Sequence, residues 1–386
     1  MKINQIAPLV NEVLQTTLGE NTILVQEDLS NLIEVGTTIE NAIAFDSYVN
    51  AIVNRIGKMV FADRKYSGRG LSVLKDSWEF GSILAKCSGD LPEVTETEDW
   101  QLENGTAYDP NVFNAPNGIK VKFYNGLTTF EIDRSITDKQ VKQSFTSAYE
   151  MNAFISMIFT LIENALTLAT ENLIKRTIIN MVAETIHSDY QDAQYATKSG
   201  GKAVNLLYLY NQTYGTKLTV SKCMQDKDFI RFATFTMAKY IDLLQEYSVL
   251  FNIEGRQRFT PKDKLHVVML SDFRRASDVY LQSETFHNDL VMLPYAEVVN
   301  KWQTTGAAYS FEDISKINVK TSNNNEVQCG GIIGVMFDDD ALGVSLYDRR
   351  VTTDYNAKAE FTNYFYKQDA RYFNDFSENM VVFFVA

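Results

Sequence analysis

The longest stretch of this chain without glycine or proline lies between Gly126 and Gly200, and no other feature constrains the fold as strongly. Across most of it, apolar residues recur at the spacing of one helix face. Ser147 and Glu150 match a capping box, whose two side chains accept hydrogen bonds from free backbone N–H groups. The pattern predicts one helix over 148–186, about 58 Å long at about 1.5 Å per residue. An average helix has about 11–12 residues, so this one would form a spine across a flat domain.

Residues 63–132 differ sharply from their surroundings. They contain three of the six prolines, and seven carboxylates lie between Lys86 and Lys120, where no Lys or Arg occurs. A segment so polar and so rich in turns cannot build a core of its own. We interpret it as an extended loop that something outside itself stabilises, after an N-terminal arm of short helices over 1–62.

At the end of this loop, Asn125 and Gly126 separate two runs of alternating apolar and polar residues, 119–124 and 127–132. Asn-Gly between two alternating runs is a strong signal for a two-residue turn. The sequence therefore predicts a β-hairpin here.

Strand and helix patterns alternate over 219–339, with an amphipathic helix at 226–251 and a buried strand at 265–270. Such alternation predicts an α/β domain. Residues 187–218 before it are polar and rich in Tyr, which favours a connecting segment, and residues 340–386 return to strand-like patterns. The predicted fold class is α+β.

Composition narrows the possible functions. The chain carries 36 Lys and Arg against 49 Asp and Glu, a net charge of −13, so direct recognition of nucleic acid is not expected. Its three cysteines are widely spaced, which indicates a reducing compartment without disulfides or a zinc site. The N-terminus lacks a signal-peptide pattern. The most apolar segment, 151–162, is too short for a transmembrane helix, which needs about 20 residues. We expect synthesis in the cytoplasm and no membrane partner.

No catalytic constellation is present in the sequence. His187, His266 and His287 have no second base or ligand at catalytic or metal spacing, and His266 lies in an apolar run typical of a core histidine. Residues 338–340 are three consecutive aspartates, but they lack the glycine and terminal Glu of an EF-hand loop, which favours a solvated turn. We predict no catalytic residue, no cofactor and no metal site.

The order of these segments resembles the major capsid protein of tailed bacteriophages, most closely that of small short-tailed phages (podoviruses) of Gram-positive bacteria. The order is N-terminal arm, extended loop, peripheral domain with its spine helix, axial domain, and return to the peripheral domain. The resemblance covers essentially the whole chain, and the order of the segments supports it more strongly than any single motif. The individual stretches that resemble the family are Glu34-Val-Gly36, Arg55-Ile-Gly57, Ser135-Ile-Thr-Asp138 with Phe145, Phe286-His-Asn288, Leu293-Pro294, Val298-Val-Asn-Lys-Trp302, Asp369-Ala-Arg371 and Phe376-Ser-Glu-Asn379.

The resemblance implies a fold, a function and partners. The N-terminal arm would span 1–62, the extended loop 63–132, the peripheral domain 133–218 and 340–386, and the axial domain 219–339. The function would be that of a virion structural protein, assembled in the host cytoplasm into hexamers and pentamers of an icosahedral head. Its partners would be other copies of itself, a portal, a scaffolding protein, and double-stranded DNA enclosed without sequence-specific binding.

Two other functions remain open from the sequence. An encapsulin-like nanocompartment shell protein would share the fold but enclose cargo enzymes. A soluble α/β enzyme would need a site without a recognisable motif. The absence of a catalytic motif favours a shell, and the negative charge favours one that must release its DNA.

The acidic part of the loop predicts a contact between subunits. Its carboxylates repel one another, so they are best accommodated beside positive charge. In the implied fold the loop crosses the peripheral domain of a neighbour, whose densest basic spot lies at 349–350. We therefore predict pairs between subunits that join Glu93, Glu96, Glu98 or Asp99 to Arg349 or Arg350.

Some members of the wider family join a loop lysine covalently to an asparagine of a neighbour. Lys75 or Lys86 and Asn356 or Asn379 are the candidates in this chain, but no flanking signature accompanies them. We therefore expect no cross-link.

Overall fold

The computed structural model of the chain describes residues 72–75, 84–89, 91–92, 119–137, 148–191, 194–282, 296–303 and 310–386, with six isolated positions before residue 36. Its helices are α1 (Ala148–Asp189), α2 (Leu206–Tyr214), α3 (Val220–Cys223), α4 (Lys227–Leu244), α5 (Ser271–Gln282) and α6 (Phe311–Ile314). Its strands are β1 (Leu74–Lys75), β2 (Leu84–Ser88), β3 (Lys120–Tyr124), β4 (Leu127–Thr137), β5 (Ala203–Asn205), β6 (Leu265–Leu270), β7 (Ala296–Val299), β8 (Ile317–Lys320), β9 (Glu326–Cys329), β10 (Ile332–Asp338), β11 (Leu342–Asn356), β12 (Phe361–Asn374) and β13 (Met380–Phe384).

Helix α1 is the longest of these elements, with 42 residues. At about 1.5 Å per residue it is about 63 Å long. It begins at Ala148, the first residue of the predicted helix, and ends slightly beyond the predicted span. In its buried half, the hydroxyls of Thr177 and Thr185 donate to the carbonyl oxygen four residues earlier, at 2.9 and 2.8 Å, so neither of these two hydroxyls is left unpaired. The predicted cap at Ser147 lies outside the described residues. In the described parts of the chain, no helix has both the length and the apolarity needed to cross a membrane.

A close contact explains why residue 200, at the end of the stretch without glycine or proline, is a glycine. A Cβ atom at Gly200 would lie 2.2 Å from a carboxylate oxygen of Asp189, the last residue of α1. That oxygen accepts hydrogen bonds from the backbone N–H groups of Lys202 and Ala203, both at 2.9 Å. Asp189 thereby ends the helix and directs the chain into β5.

A five-stranded mixed sheet, in the order β5-β13-β10-β6-β7, has both of its faces covered. Strand β10 is antiparallel to both neighbours, and β5 and β7 pair in parallel at the two edges. Consecutive side chains along a strand enter different cores, because a strand alternates its side chains between faces. In β10, Val335 and Phe337 pack on the side of α1, and Met336 packs on the side of α2, α4 and α5.

A four-stranded sheet, in the order β1-β11-β12-β4, also contacts α1. Its long strands β11 and β12 are antiparallel, β4 pairs antiparallel with β12, and β1 pairs in parallel with β11. Two connections join the sheets, because β10 continues into β11 through 339–341 and β12 continues into β13 through 375–379.

The hairpin predicted around Asn125 and Gly126 is wrong. Strand β3 pairs with β2, whereas β4 pairs with β12, so the dipeptide carries the chain from one sheet to another. Glycine is required here by a close contact: a Cβ atom at Gly126 would lie 2.5 Å from the backbone oxygen of Tyr372. The N–H of Tyr372 also donates to the carbonyl oxygen of Gly126 at 3.2 Å.

Segment 187–218, predicted as a polar connection, contains β5 and α2. Asn205 caps α2 by accepting a hydrogen bond from the N–H of Tyr208 at 3.0 Å, and Leu206, Leu207 and Tyr210 are buried. The apolar run at 206–210 is short and lies between polar stretches, which conceals the buried helix face in the sequence. The predicted helix at 226–251 is shorter than expected, since α4 ends at Leu244.

Strand β13 pairs with β10 and β5, within the five-stranded sheet. The sequence grouped it with 340–386, yet β11 and β12 from that range pair in the other sheet. Of the two neighbours of β13, β10 lies in the predicted axial range and β5 in the predicted peripheral range. The predicted domain boundaries stay predictions.

Candidate assembly surfaces

Strands β2 and β3 form a two-stranded antiparallel sheet, which we call the ribbon. Its side chains alternate between two faces. One face carries Ile119, Val121 and Phe123, which are 61%, 51% and 68% exposed. The other face carries Lys86 and Lys122, which lie directly opposite each other across the two strands. The single subunit therefore leaves most of the apolar face in contact with water.

The lysine face forms ion pairs with carboxylates of the rest of the subunit, which we call the body. The Nζ atom of Lys86 lies 2.8 Å from Asp375 and 2.8 Å from Glu378. The Nζ atom of Lys122 lies 2.9 Å from the other oxygen of Asp375 and also pairs with Glu254. We call these five residues the anchor cluster. Like charges directly opposite each other weaken a strand pair, and the shared carboxylate of Asp375 offsets that repulsion.

Two arginines hold the end of the ribbon. Arg256, which is buried, donates to the hydroxyl of Ser88 at 2.6 Å. Arg258 donates to the backbone oxygen of Gly89 at 3.4 Å and lies 3.6 Å from Glu378. Residues 84–89 are thereby attached to the loop that follows α4.

Burial and pairing determine the charge states in the anchor cluster. Burial by itself raises the pKa of Asp375, but hydrogen bonds from Lys86 and Lys122 outweigh burial and hold that pKa well below its usual value of 3.8. Burial lowers the pKa of Lys86, but hydrogen bonds to Asp375 and Glu378 outweigh burial and hold that pKa above its usual value of 10.5. Burial and the charge of Asp375 raise the pKa of Tyr124, which stays protonated. Asp375 and Lys86 are therefore both charged throughout the neutral pH range.

The structure separates the two arginines of the predicted interface, which the sequence treated alike. They follow a bulge in β11 at Asp348, whose φ is 41°. Arg349 lies 3.2 Å from Glu163 of α1, and its side chain is 8% exposed. Arg350 is 40% exposed and lies 2.7 Å from both Asp348 and Asp369. The predicted pairs stay predictions, because their carboxylates lie outside the described residues: Glu93, Glu96, Glu98 and Asp99.

The three aspartates at 338–340 form the turn between β10 and β11. Asp338 is buried, which raises its pKa, and it accepts a hydrogen bond from the N–H of Asp340 at 2.9 Å. Asp339 pairs with Lys75 and lies 2.8 Å from Nε2 of His266. His266, predicted as a core histidine, is instead a partly exposed partner of this carboxylate. Within the described ranges, no three His, Cys, Asp or Glu residues are arranged to hold a metal ion.

Cys223, Cys329, His187 and Asn379 have ordinary structural surroundings. Burial raises the pKa of both Cys223 and Cys329 to about 12, so neither is a thiolate at neutral pH. The Nε2 atom of His187 lies 3.0 Å from the side-chain amide of Asn325. Asn379, a candidate for cross-linking, is buried and donates to the hydroxyl of Thr260 at 3.2 Å.

Comparison with known proteins identifies the class. The model of the family described as Phi29-like phage major capsid protein matches residues 10–384. The chain belongs to this family: it is a phage capsid protein that assembles with itself into the shell and forms part of the virion. The prediction of an α+β tailed-phage capsid protein is confirmed.

Several solved structures also match the chain over most of its length. The capsid of Staphylococcus phage Andhra is 10% identical, with 83% of this chain and 84% of that chain covered and a TM-score of 0.44. A structure of the head fiber and inner core protein gp22 of bacteriophage P68 is 10% identical, with 81% and 83% covered and a TM-score of 0.48. The capsid of the cyanophage P-SCSP1u is 13% identical, with 82% and 87% covered and a TM-score of 0.42. No curated protein matches the sequence.

Sequence reasoning missed the anchor cluster. Its members are far apart in the chain, with 292 positions between Lys86 and Glu378. The available signal was the alternation of Lys120 and Lys122 with Val121 and Phe123, which shows that the two faces of β3 differ. That alternation gives no information on which element covers either face.

Proposed function

We propose that this chain forms hexamers and pentamers that close into the icosahedral head of a small short-tailed phage of a Gram-positive host. The observation that carries the proposal is the family match over residues 10–384. The exposed apolar face of the ribbon supports it, because an isolated two-stranded sheet is marginally stable in water and gains from being covered. A neighbouring subunit covers this face in the proposed capsomer.

In this proposal the extended loop, 63–132, lies over the neighbouring subunit. The four-stranded sheet and α1 form the peripheral domain, and the five-stranded sheet forms the axial domain. Assembly takes place in the host cytoplasm with a portal and a scaffolding protein. The head encloses double-stranded DNA without sequence-specific contacts, which a net charge of −13 supports because it repels phosphates. The chain has a structural role and no enzymatic activity.

The predicted interface pairs belong to the same proposal. Arg350 is the more accessible of the two arginines, with 40% of its side chain exposed against 8% for Arg349. Both arginines already pair within the subunit, so exposure decides, and a carboxylate from a neighbour's loop reaches Arg350 more readily than Arg349.

The test is expression of the chain, alone and with its phage's scaffolding protein, followed by sedimentation and negative-stain electron microscopy. We expect closed particles of megadalton mass. Subunits that stay monomeric under both conditions would contradict the proposal. Particles that require a cargo enzyme in place of DNA would support the nanocompartment function instead.

A further inference from the structure

We infer that the anchor cluster is a positioning site for assembly, which fixes within one subunit the orientation of β2 and β3 relative to the two large sheets. The inference rests on the proposed function and assigns a role in it to Lys86, Lys122 and Asp375. None of the three was part of the predicted interface.

The anchor cluster lies at the junction of the two large sheets. Asp375 belongs to one of the two connections between them, and its backbone N–H donates to Ala341 of the other connection at 2.7 Å. Lys86 contacts both connections, because its Nζ atom also donates to the backbone oxygen of Asp340 at 3.1 Å. The ribbon is thereby oriented relative to both sheets at once.

Burial distinguishes this cluster from ordinary surface ion pairs. The side chain of Asp375 is 1% exposed and that of Glu378 is 11% exposed. A charge so deeply buried is stable only when it is paired, so the ribbon cannot leave without exposing or stranding that carboxylate. The pair of Lys262 and Asp242, by contrast, is 60% and 77% exposed, and such pairs contribute little.

The two faces of the ribbon consequently have different roles. The lysine face is used within the subunit, so the apolar face of Val121 and Phe123 is directed away from the anchor. Every copy then presents this face in the same orientation relative to its own subunit. Hexamers and pentamers repeat one contact many times, and a fixed orientation within the subunit keeps that contact available in each copy.

The test removes the anchor without leaving a buried unpaired charge. The anchor variant combines Lys86→Met, Lys122→Met and Asp375→Asn. The control variant removes the same charges from more exposed pairs on the body and combines Lys262→Met, Lys367→Met and Asp242→Asn. Amide hydrogen exchange of unassembled subunits and electron microscopy of assembled particles are compared with the wild-type chain.

In the anchor variant we expect exchange in β2 and β3 to be faster by roughly tenfold to hundredfold, as the loss of hydrogen bonds to charged groups predicts. Exchange in α1 and β12 should keep its wild-type rate, and closed particles should give way to open or irregular ones. The control variant should match the wild type in both measurements. Wild-type exchange in the ribbon of the anchor variant, or closed particles in normal yield, would overturn the inference.

If the anchor variant does not fold, Lys122→Met with Glu254→Gln takes its place. This pair is 23% and 35% exposed, and its removal leaves Asp375 paired with Lys86. Faster exchange in the ribbon is again expected, and unchanged exchange overturns the inference. Lys86→Arg with Lys122→Arg keeps both charges and should form closed particles. A wild-type chain that forms no shell would contradict the proposed function, whereas normal shells from the anchor variant would contradict this inference alone.

Discussion

The five-stranded sheet and the ribbon share the same alternation of side chains, but only the sheet is covered on both faces. In the sheet, Val335 and Phe337 on one face and Met336 on the other are all buried. In the ribbon, the face of Val121 and Phe123 stays exposed, while the lysine face is held by the body. Covering apolar area gains about 25 cal/mol per Å². Burial in the sheet therefore stabilises the subunit. The apolar face of the ribbon is still exposed, so covering it by a second subunit would favour association.

Truncation in the sheet should produce the largest effect on stability. Phe337 is 1% exposed, so Phe337→Ala removes its contacts and leaves a cavity. We expect a loss of about 3–5 kcal/mol in the free energy of unfolding, measured by chemical denaturation of unassembled subunits. Phe123→Ala in the ribbon, where the ring is 68% exposed, should change the same quantity by less than about 0.5 kcal/mol. Equal losses would show that the two regions do not differ as described.

For assembly we expect the opposite ranking, with substitutions in the ribbon more harmful than substitutions in the sheet. Phe123→Glu places a charge on the apolar face of the ribbon and leaves the core of the subunit unchanged. The yield of closed particles should fall about tenfold or more, because an unpaired charge buried in an interface costs several kcal/mol. Phe123→Tyr keeps the ring and serves as the control, with particle yield near that of the wild type. Normal shells from Phe123→Glu would mean that no neighbour covers this face.

Gly126 connects the ribbon to the four-stranded sheet, and a substitution there should have an effect of intermediate size on stability. In Gly126→Ala the new methyl group collides with the backbone of Tyr372, so β4 and β12 must shift apart. We expect a loss of about 1–3 kcal/mol in the free energy of unfolding. Gly89→Ala is the matched control, since nothing lies within 4 Å of a Cβ atom at Gly89. If Gly126→Ala left the free energy of unfolding unchanged, the contact with Tyr372 would not explain this glycine.

The sequence predicted the elements whose patterns are local. The capping box and the apolar spacing predicted α1 over 148–186, three residues short of its end at Asp189, and the apolar run at 265–270 forms β6. The error at the predicted hairpin has a physical cause, because pairing partners distant in the chain leave no local trace in the sequence. The Asn-Gly dipeptide looked like a hairpin turn, yet β3 pairs with β2 and β4 with β12. The same cause concealed the anchor cluster, whose members meet only in the folded subunit.

The pH dependence of the ribbon's stability should follow Asp375 and Lys86, the two residues of the anchor cluster whose pKa values are shifted. The depressed pKa of Asp375 gives stability that is present above its usual 3.8 and lost as the pH falls through the folded value. The raised pKa of Lys86 gives stability that is present below its usual 10.5 and lost as the pH rises through the folded value. Ribbon protection, corrected for intrinsic exchange, should therefore stay constant from about pH 5 to about pH 9. A change in ribbon protection within this range would contradict the assignment to Asp375 and Lys86.

The smallest expected effect concerns Arg350. An exposed ion pair contributes roughly 0.2–1 kcal/mol, so the proposed contact with a neighbour's loop acts only through its repetition over many copies. Arg350→Gln should lower the yield of closed particles at low salt and have less effect at high salt, where screening already weakens the contact. Arg349→Gln is the comparison, because each variant leaves one carboxylate of its own subunit without its arginine, Glu163 in Arg349→Gln and Asp369 in Arg350→Gln. Only Arg350 is exposed enough to meet a neighbour's loop as well. Normal particles from Arg350→Gln at low salt would place the partner of the acidic loop on another part of the neighbouring subunit.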